Sequence, residues 1–197
     1  MAALNPNLSI LDPELLKTPF EVGTNWHVLT GAACTGKTTL LTLLSNQGYP
    51  VLAESARIYF DREFARGQTL QQIRADDRRL QYNIAALQME YEAGLDPGTV
   101  TFLDRGLPDS LPFLRLSGAD PNQLLGNCFH YRYRSVFLLE RLPTRRDQAL
   151  GPEDEAASAF LDEWLERDYT ALGYRVVRVP VIPPQERLDF ILQAVSR

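Results

Sequence analysis

The 197-residue chain is short of cysteine and histidine, with two of each, and has no excess of basic charge. Each shortage excludes something. Cys34 and Cys128 make neither a disulfide framework nor a metal motif, so a reducing, cytoplasmic setting is expected. His27 and His130 lack metal-ligand spacing and read as structural residues. No apolar run approaches the roughly 20 residues of a bilayer span, and no membrane partner is expected. Residues Met1 to Lys17 carry Asp12, Glu14 and two prolines, where a secretory leader would have a basic region leading into an apolar one. The net charge of −5 gives no general basic surface for counter-ion release, so no nucleic-acid partner is expected.

What remains is an ordinary globular composition, 45% apolar and 23% charged, long enough to bury one full core. The most informative stretch is Gly31-Ala32-Ala33-Cys34-Thr35-Gly36-Lys37-Thr38, followed by Thr39, which fits the phosphate-binding pattern G-x-x-x-x-G-K-S/T in full. An apolar run, Trp26 to Leu29, leads into it, and the helix-like run Thr39 to Leu44 leads out. A strand, a glycine loop and a helix N-terminus form an anion site, because successive backbone N–H groups and the helix dipole both face the loop. Gly31 and Gly36 permit close phosphate approach. Lys37 is expected on the β- and γ-phosphates and the Thr38 hydroxyl on magnesium. Pairing Cys34 in a disulfide would obstruct the loop.

Along the chain, residues 1–23 read as an N-terminal extension with a short helix near Asp12–Leu16, and residues 24–197 as one domain. Strands are predicted at about Trp26–Thr30, Val51–Ala53, Thr99–Leu103, Ser135–Leu139 and Tyr174–Val179. Helices are predicted at Ser55–Arg66, Thr69–Ala93, Pro108–Ser117, Pro121–Phe129, Glu153–Leu172 and Pro184–Val195. This alternation implies an α/β fold: a five-stranded parallel sheet with helices on both faces, the three-layer arrangement of P-loop NTPases. Ligands in such sheets bind beyond the carboxyl ends of the strands. That edge collects the phosphate loop, Glu54, Asp104 and the arginines Arg141, Arg145 and Arg146.

Several of these residues admit two readings. Asp104 is a turn former near Gly106, or the acidic residue that supports magnesium, with Thr38 as the second metal contact. Arg105 is a solvated arginine, or lies beside the phosphoryl acceptor. Glu54 is a favourable charge at a helix N-terminus, or a general base for an acceptor hydroxyl. The Arg141–Arg146 loop is a solvated basic loop, or a lid whose guanidinium groups stabilise the transferring phosphoryl group and exclude water. Gln81 and Gln88 read a base or fill an exposed face. Asp109 contacts a sugar hydroxyl or opens the helix after Pro108. Tyr131 and Tyr133 alternate with Arg132 and Arg134, as in a strand approach with snorkelling arginines.

The loop Gly31–Thr38, the stretch Gly48 to Arg57, the motif Phe102-Leu103-Asp104-Arg105-Gly106-Leu107-Pro108-Asp109-Ser110 and the tail from Tyr169 to Ile191 together resemble a family of small predicted bacterial P-loop ATPases and kinases. That family is similar to the ribosylnicotinamide-kinase domain of NadR-type proteins and, more distantly, to deoxynucleoside kinases. The resemblance covers about residues 24–195. It implies a nucleoside/nucleotide-kinase type of P-loop fold, with the strand carrying Asp104 beside the phosphate-loop strand. It implies Glu54 as base and Arg105 at the acceptor end of the substrate. An acidic-Arg-Ser motif in that family matches Asp104-Arg105, with Gly106 in place of the Ser. Lid arginines would map to the Arg141–Arg146 loop.

The function expected is ATP- and magnesium-dependent phosphoryl transfer to a small hydroxyl-bearing, nucleoside-like acceptor. Lys37, Glu54, Asp104, Arg105, Arg141 and Arg145 would serve the chemistry. The alternative is a partner-regulated NTPase switch with no small acceptor; a GTPase version lacks the N-K-x-D and D-x-x-G motifs. A binding module without catalysis is the third reading, and the intact Lys37, Thr38 and Asp104 speak against it.

Overall fold

The computed structural model describes residues 10–142 and 152–196, the side chains of 152–155 apart. The strands are β1 (Val22–Gly23), β2 (Trp26–Thr30), β3 (Val51–Leu52), β4 (Thr101–Asp104), β5 (Tyr131–Arg132), β6 (Ser135–Leu139) and β7 (Val176–Val179). The helices are α1 (Lys37–Asn46), α2 (Ser55–Ala65), α3 (Leu70–Ile73), α4 (Asp77–Ala93), α5 (Ser110–Leu116), α6 (Asn122–Leu125), α7 (Pro152–Ala171) and α8 (Pro184–Val195). Five strands form one parallel sheet in the order β3-β4-β2-β6-β7. The strand ending on Asp104 therefore lies directly beside the phosphate-loop strand, as the resemblance implies.

The central strands β2 and β4 are buried at every residue, and β6 at all but its first. Such near-continuous apolar runs are what a parallel sheet covered on both faces requires. Side chains alternate between two cores with the period of the pleat. Val28, Leu103, Val136 and Leu138 join the core containing Leu111, Leu114 and Leu165 of α5 and α7. Leu29, Phe102, Phe137 and Leu139 join the core containing Leu40, Leu44, Leu188 and Ile191 of α1 and α8. His27, tilted against the rings of Phe102 and Phe137, is held down to about 4 by burial and then by Arg134, so it is a neutral core residue at pH 7.

Two departures from the sequence reading have local causes. The helix predicted over 69–93 is two helices. Thr69 and Gln72 form a capping box that starts α3, and the Asp76 carboxylate accepts from the Arg79 N–H to start α4, so Asp76 caps a new helix where continuation was expected. The segment before β2 packs against the domain. Leu11 is buried in the main core, and Val22–Gly23 pair in parallel with Tyr131–Arg132. Among the described residues no helix is long and apolar enough to cross a membrane.

Candidate active site

The register aligns the carboxyl ends of β2, β4 and β6: Leu29 pairs with Asp104, and Thr30 with Leu138. The phosphate loop turns back over that edge. Gly31 has φ of 136° and Gly36 of 86°, and Cys34 also adopts a positive φ of 60°. A Cβ on Gly31 would lie 2.8 Å from the Leu139 carbonyl oxygen, so only glycine lets the loop seat against β6. Ala33, Cys34, Thr38 and Thr39 are exposed, whereas Ala32, Thr35 and Lys37 are buried. The Lys37 ammonium donates to the carbonyls of Gly31 (2.6 Å) and Ala32 (2.7 Å) and to the Thr35 hydroxyl (3.1 Å). Burial, then Arg105, lowers Lys37 to about 8, against the pull of Asp104, Asp109 and Glu54. It stays charged at pH 7, poised on the loop that phosphates would enter.

Asp104 ends β4 and is buried, and its Oδ1 has no hydrogen-bond partner among the described residues. Burial, then Glu54, pushes its carboxyl up to about 6, against Arg105 and Lys37. A buried, unpartnered carboxylate oxygen beside a phosphate loop fits a metal-supporting role, and the exposed Thr38 at the start of α1 fits as its companion. Among the described residues no group of three or more His, Cys, Asp or Glu could hold a metal alone.

The next residue, Arg105, has φ of 74°, a left-handed conformation uncommon for a residue with a side chain. Its N–H donates to the Leu29 carbonyl at 3.0 Å. The turn aims the guanidinium sideways: Nε donates to Glu54 Oε1 at 2.8 Å and Nη1 to Asp109 Oδ1 at 3.1 Å. Burial alone would lower Arg105, but Asp109 and Glu54 outweigh it and hold it above its usual value. Asp109 lines the cavity and stands at the N-cap of α5, where it opens the helix after Pro108. Its carboxylate also accepts from Thr30, from Tyr169 of α7 and from the Gly106 N–H, so it works as a buried bracket for Arg105.

Arg105, Asp109 and Glu54 border a cavity of about 530 Å³. Ala33 of the loop, Glu54 and Arg105 form its charged end, and Phe60, Ile84 and Phe113 its apolar walls. Gln81 and Gln88 both line it; Gln88 fills no exposed face, being buried and bonded to Ser55 and Glu92.

A family model for the AAA domain matches residues 26–187, from the first residue of β2 into α8. The chain belongs to this AAA domain family. No curated protein matches it in sequence. Among solved structures, NadR protein in complex with NR is similar at a TM-score of 0.65 and 20% identity, over 87% of this chain and 50% of that one. The chain thus spans about half the length of NadR. Deoxyadenosine kinase from M. mycoides, with products dCMP and a flexible dCDP bound, is similar at a TM-score of 0.61 and 15% identity, over 87% and 98% of the two chains. Shikimate kinase from Aquifex aeolicus is similar at 0.52 and 16%, over 87% and 96%. At these identities the likeness is one of fold. Family and fold give this AAA domain a P-loop fold of the kind these structures share.

In this AAA domain the described part of the arginine loop is already engaged. Arg141 Nε pairs with Asp162 Oδ2 of α7 at 2.7 Å, and Asp162 Oδ1 accepts from the Ala32 N–H at 3.2 Å. One carboxylate therefore ties the loop arginine to the phosphate loop. Arg145 and Arg146 lie outside the described residues. A second anchor is Arg187 of α8, buried and donating to the carbonyls of Thr35 (2.6 Å), Pro180 (2.6 Å) and Glu140 (2.9 Å). Asp162 and Arg187 belong to no motif. The only sequence signal for Arg187 is a charged residue directly before the apolar Leu188–Ile191 stretch that α8 buries.

Proposed function

We propose that the chain is an ATP- and magnesium-dependent phosphotransferase acting on a small, hydroxyl-bearing, nucleoside-like acceptor. The observation that carries this reading is the cavity that Ala33 of the phosphate loop shares with Glu54 and Arg105. A switch ATPase needs only water at the γ-phosphate. A cavity of about 530 Å³ with aromatic walls is suited to a second, partly apolar molecule. The NadR structure holding NR and the deoxyadenosine kinase structure holding dCMP support a nucleoside-type acceptor.

In this scheme the backbone of Gly31 to Thr39 cradles the triphosphate, and Lys37 exchanges the loop carbonyls for phosphate oxygens. Thr38 and Asp104 would hold magnesium, which offsets charge on the β- and γ-oxygens when bound. Glu54 takes the proton of the acceptor hydroxyl. Its Oε1 is held by Arg105, and its Oε2 makes no hydrogen bond among the described residues and is left for the substrate. Arg105 orients the acceptor end, and Asp109 holds Arg105. Arg141, with Arg145 as its companion in the loop, would leave Asp162 to cover the transferring phosphoryl group and exclude water.

The test is Glu54→Gln. It should leave ATP affinity within about twofold of the parent and cut phosphoryl transfer about 100-fold or more, the usual worth of a general base. Transfer at the parent rate would remove Glu54 from that role.

A further inference from the structure

Glu92 of α4 is 2% exposed, does not line the cavity and takes no part in the phosphoryl transfer. Its Oε1 nevertheless accepts three hydrogen bonds: from Gln88 Nε2 at 2.8 Å, from the Tyr133 hydroxyl at 2.8 Å and from the Leu107 N–H at 3.2 Å. A buried carboxylate is costly unless its donors repay the loss of water. The donors here converge on the turn that follows β4.

The geometry links Glu92 to Arg105 through one amide. Gln88 has an acceptor end and a donor end, and both are committed. Oε1 accepts from the Ser55 hydroxyl at 2.5 Å, and Nε2 donates to Glu92 and to the Arg105 carbonyl at 3.3 Å. Ser55 is the residue after Glu54, so this amide spans the two chain segments that carry the Glu54–Arg105 pair. Its orientation follows from Glu92, because a pure acceptor demands that the donor end of Gln88 face it. Were the amide reversed, its oxygen would confront the Arg105 carbonyl, and the left-handed turn would lose that support. Leu107, two residues on, is held by Glu92 and by the Tyr133 hydroxyl at 2.9 Å.

We propose that Glu92 is a positioning residue: by fixing the Gln88 amide and the Leu107 N–H, it holds Arg105 in its left-handed turn and keeps the guanidinium on Glu54 at the cavity wall. The assignment rests on the phosphotransferase reading only for its consequence in catalysis; the positioning itself is measurable without an acceptor.

The experiment follows the Arg105 Nε–H signal in proton–nitrogen NMR spectra at about pH 8, assigned by its loss in Arg105→Lys. Burial pushes Glu92 up to about 7, so it is ionised there. Glu92→Gln replaces charge-assisted hydrogen bonds with neutral ones and offers donors where only acceptors stood. Exchange of the Arg105 Nε–H should accelerate about tenfold, while the Arg187 Nε–H, held by the Pro180 carbonyl, should not change. Affinity for ATP should stay within about twofold. Ser55→Ala, a smaller change that frees the oxygen end of Gln88, should move the same signal in the same direction and serves if Glu92→Gln does not fold. Unchanged Arg105 exchange in both variants overturns the proposal. So does equal acceleration at Arg105 and Arg187, which would make Glu92 a general structural residue. If the variants show the Arg105 effect but the parent protein transfers phosphate to no acceptor, the phosphotransferase reading alone is refuted.

Discussion

A side chain placed at Gly106 would strike the best-packed point of the turn after β4. An ideal Cβ there lies 2.9 Å from Cε2 and Cζ of Tyr133 and 3.0 Å from its hydroxyl oxygen. The backbone is no obstacle, since φ is −116° and any residue adopts that value. The cost is steric. Tyr133 is 3% exposed, its hydroxyl is bonded to Glu92 and to the Leu107 N–H, and its ring stacks on Tyr174 with centroids 5.9 Å apart. The ring cannot retreat without breaking those bonds. Overpacking of this kind costs about 1–3 kcal/mol, and a lost buried hydrogen bond adds about 1 kcal/mol. Gly106→Ala is therefore expected to lower unfolding free energy by about 2–4 kcal/mol in urea titrations, and Tm by on the order of 10 °C. Gly126→Ala is the control, because nothing lies within 4 Å of its Cβ position and its φ is −57°. That change should be neutral or stabilising by about 0.5–1 kcal/mol. Because Tyr133→Leu removes the clash but also the hydroxyl's bonds, the double variant with Gly106→Ala should lose at least about 1 kcal/mol less than the two single losses added together. If Gly106→Ala matches the parent within about 0.5 kcal/mol, the packing argument fails. Tyr133 thus occupies the room that any side chain at position 106 would need.

Two other predictions concern buried charge. Arg115 of α5 grips Asp168 of α7 through two hydrogen bonds, at 2.5 and 2.9 Å, with both side chains almost fully buried. Arg115→Met should cost about 3–5 kcal/mol in chemical denaturation because Asp168 is stranded, and adding Asp168→Leu should restore much of it; equal stability of single and double variants would refute this. Glu92 is raised from 4.5 to about 7, chiefly by burial, in surroundings that include Tyr133, Tyr174, Cys128 and Asp109. The folded state then binds a proton more tightly than the unfolded chain. The resulting stability is fully present below about pH 4.5 and is lost as pH rises through about 7, by about 3 kcal/mol for this group. Glu92→Gln should flatten that part of the stability–pH curve, and a curve of unchanged slope would assign the fall to other groups.

What could be read in the chain and what could not differ by range. The phosphate loop is contiguous, and its chemistry is written in residues 31–38. The buried central strands announce themselves as apolar runs because helices cover both faces of the sheet. Glu54, Asp104 and Arg105 were legible because strand ends in a parallel sheet share one edge, although the direct Glu54–Arg105 pair joins residues 51 apart. Asp162 and Arg187 were not legible. They reach Ala32 and Thr35 across 130 and 152 residues, and no local pattern distinguishes a helix Asp or Arg that turns inward from one that faces water. Glu92, and the buried bonding of Gln88, hid for the same reason. They share α4 with Leu80 and Leu87, and the apolar period marks the helix face but not the polar residues buried beside it. Asp109 was legible as the residue that opens the helix after Pro108, but its long-range partners Thr30 and Tyr169 were not, since they come from β2 and α7.

The central claim is that the cavity beside the phosphate loop receives a phosphoryl acceptor. It is tested most directly by incubating the protein with ATP and magnesium and a panel of nucleosides and sugars, and weighing the products by mass spectrometry. One compound should stimulate ATP turnover and gain a single phosphoryl group, and Lys37→Ala should abolish the product. ATP turnover stimulated only by a protein partner, with no phosphorylated small molecule from any panel member, would contradict the claim.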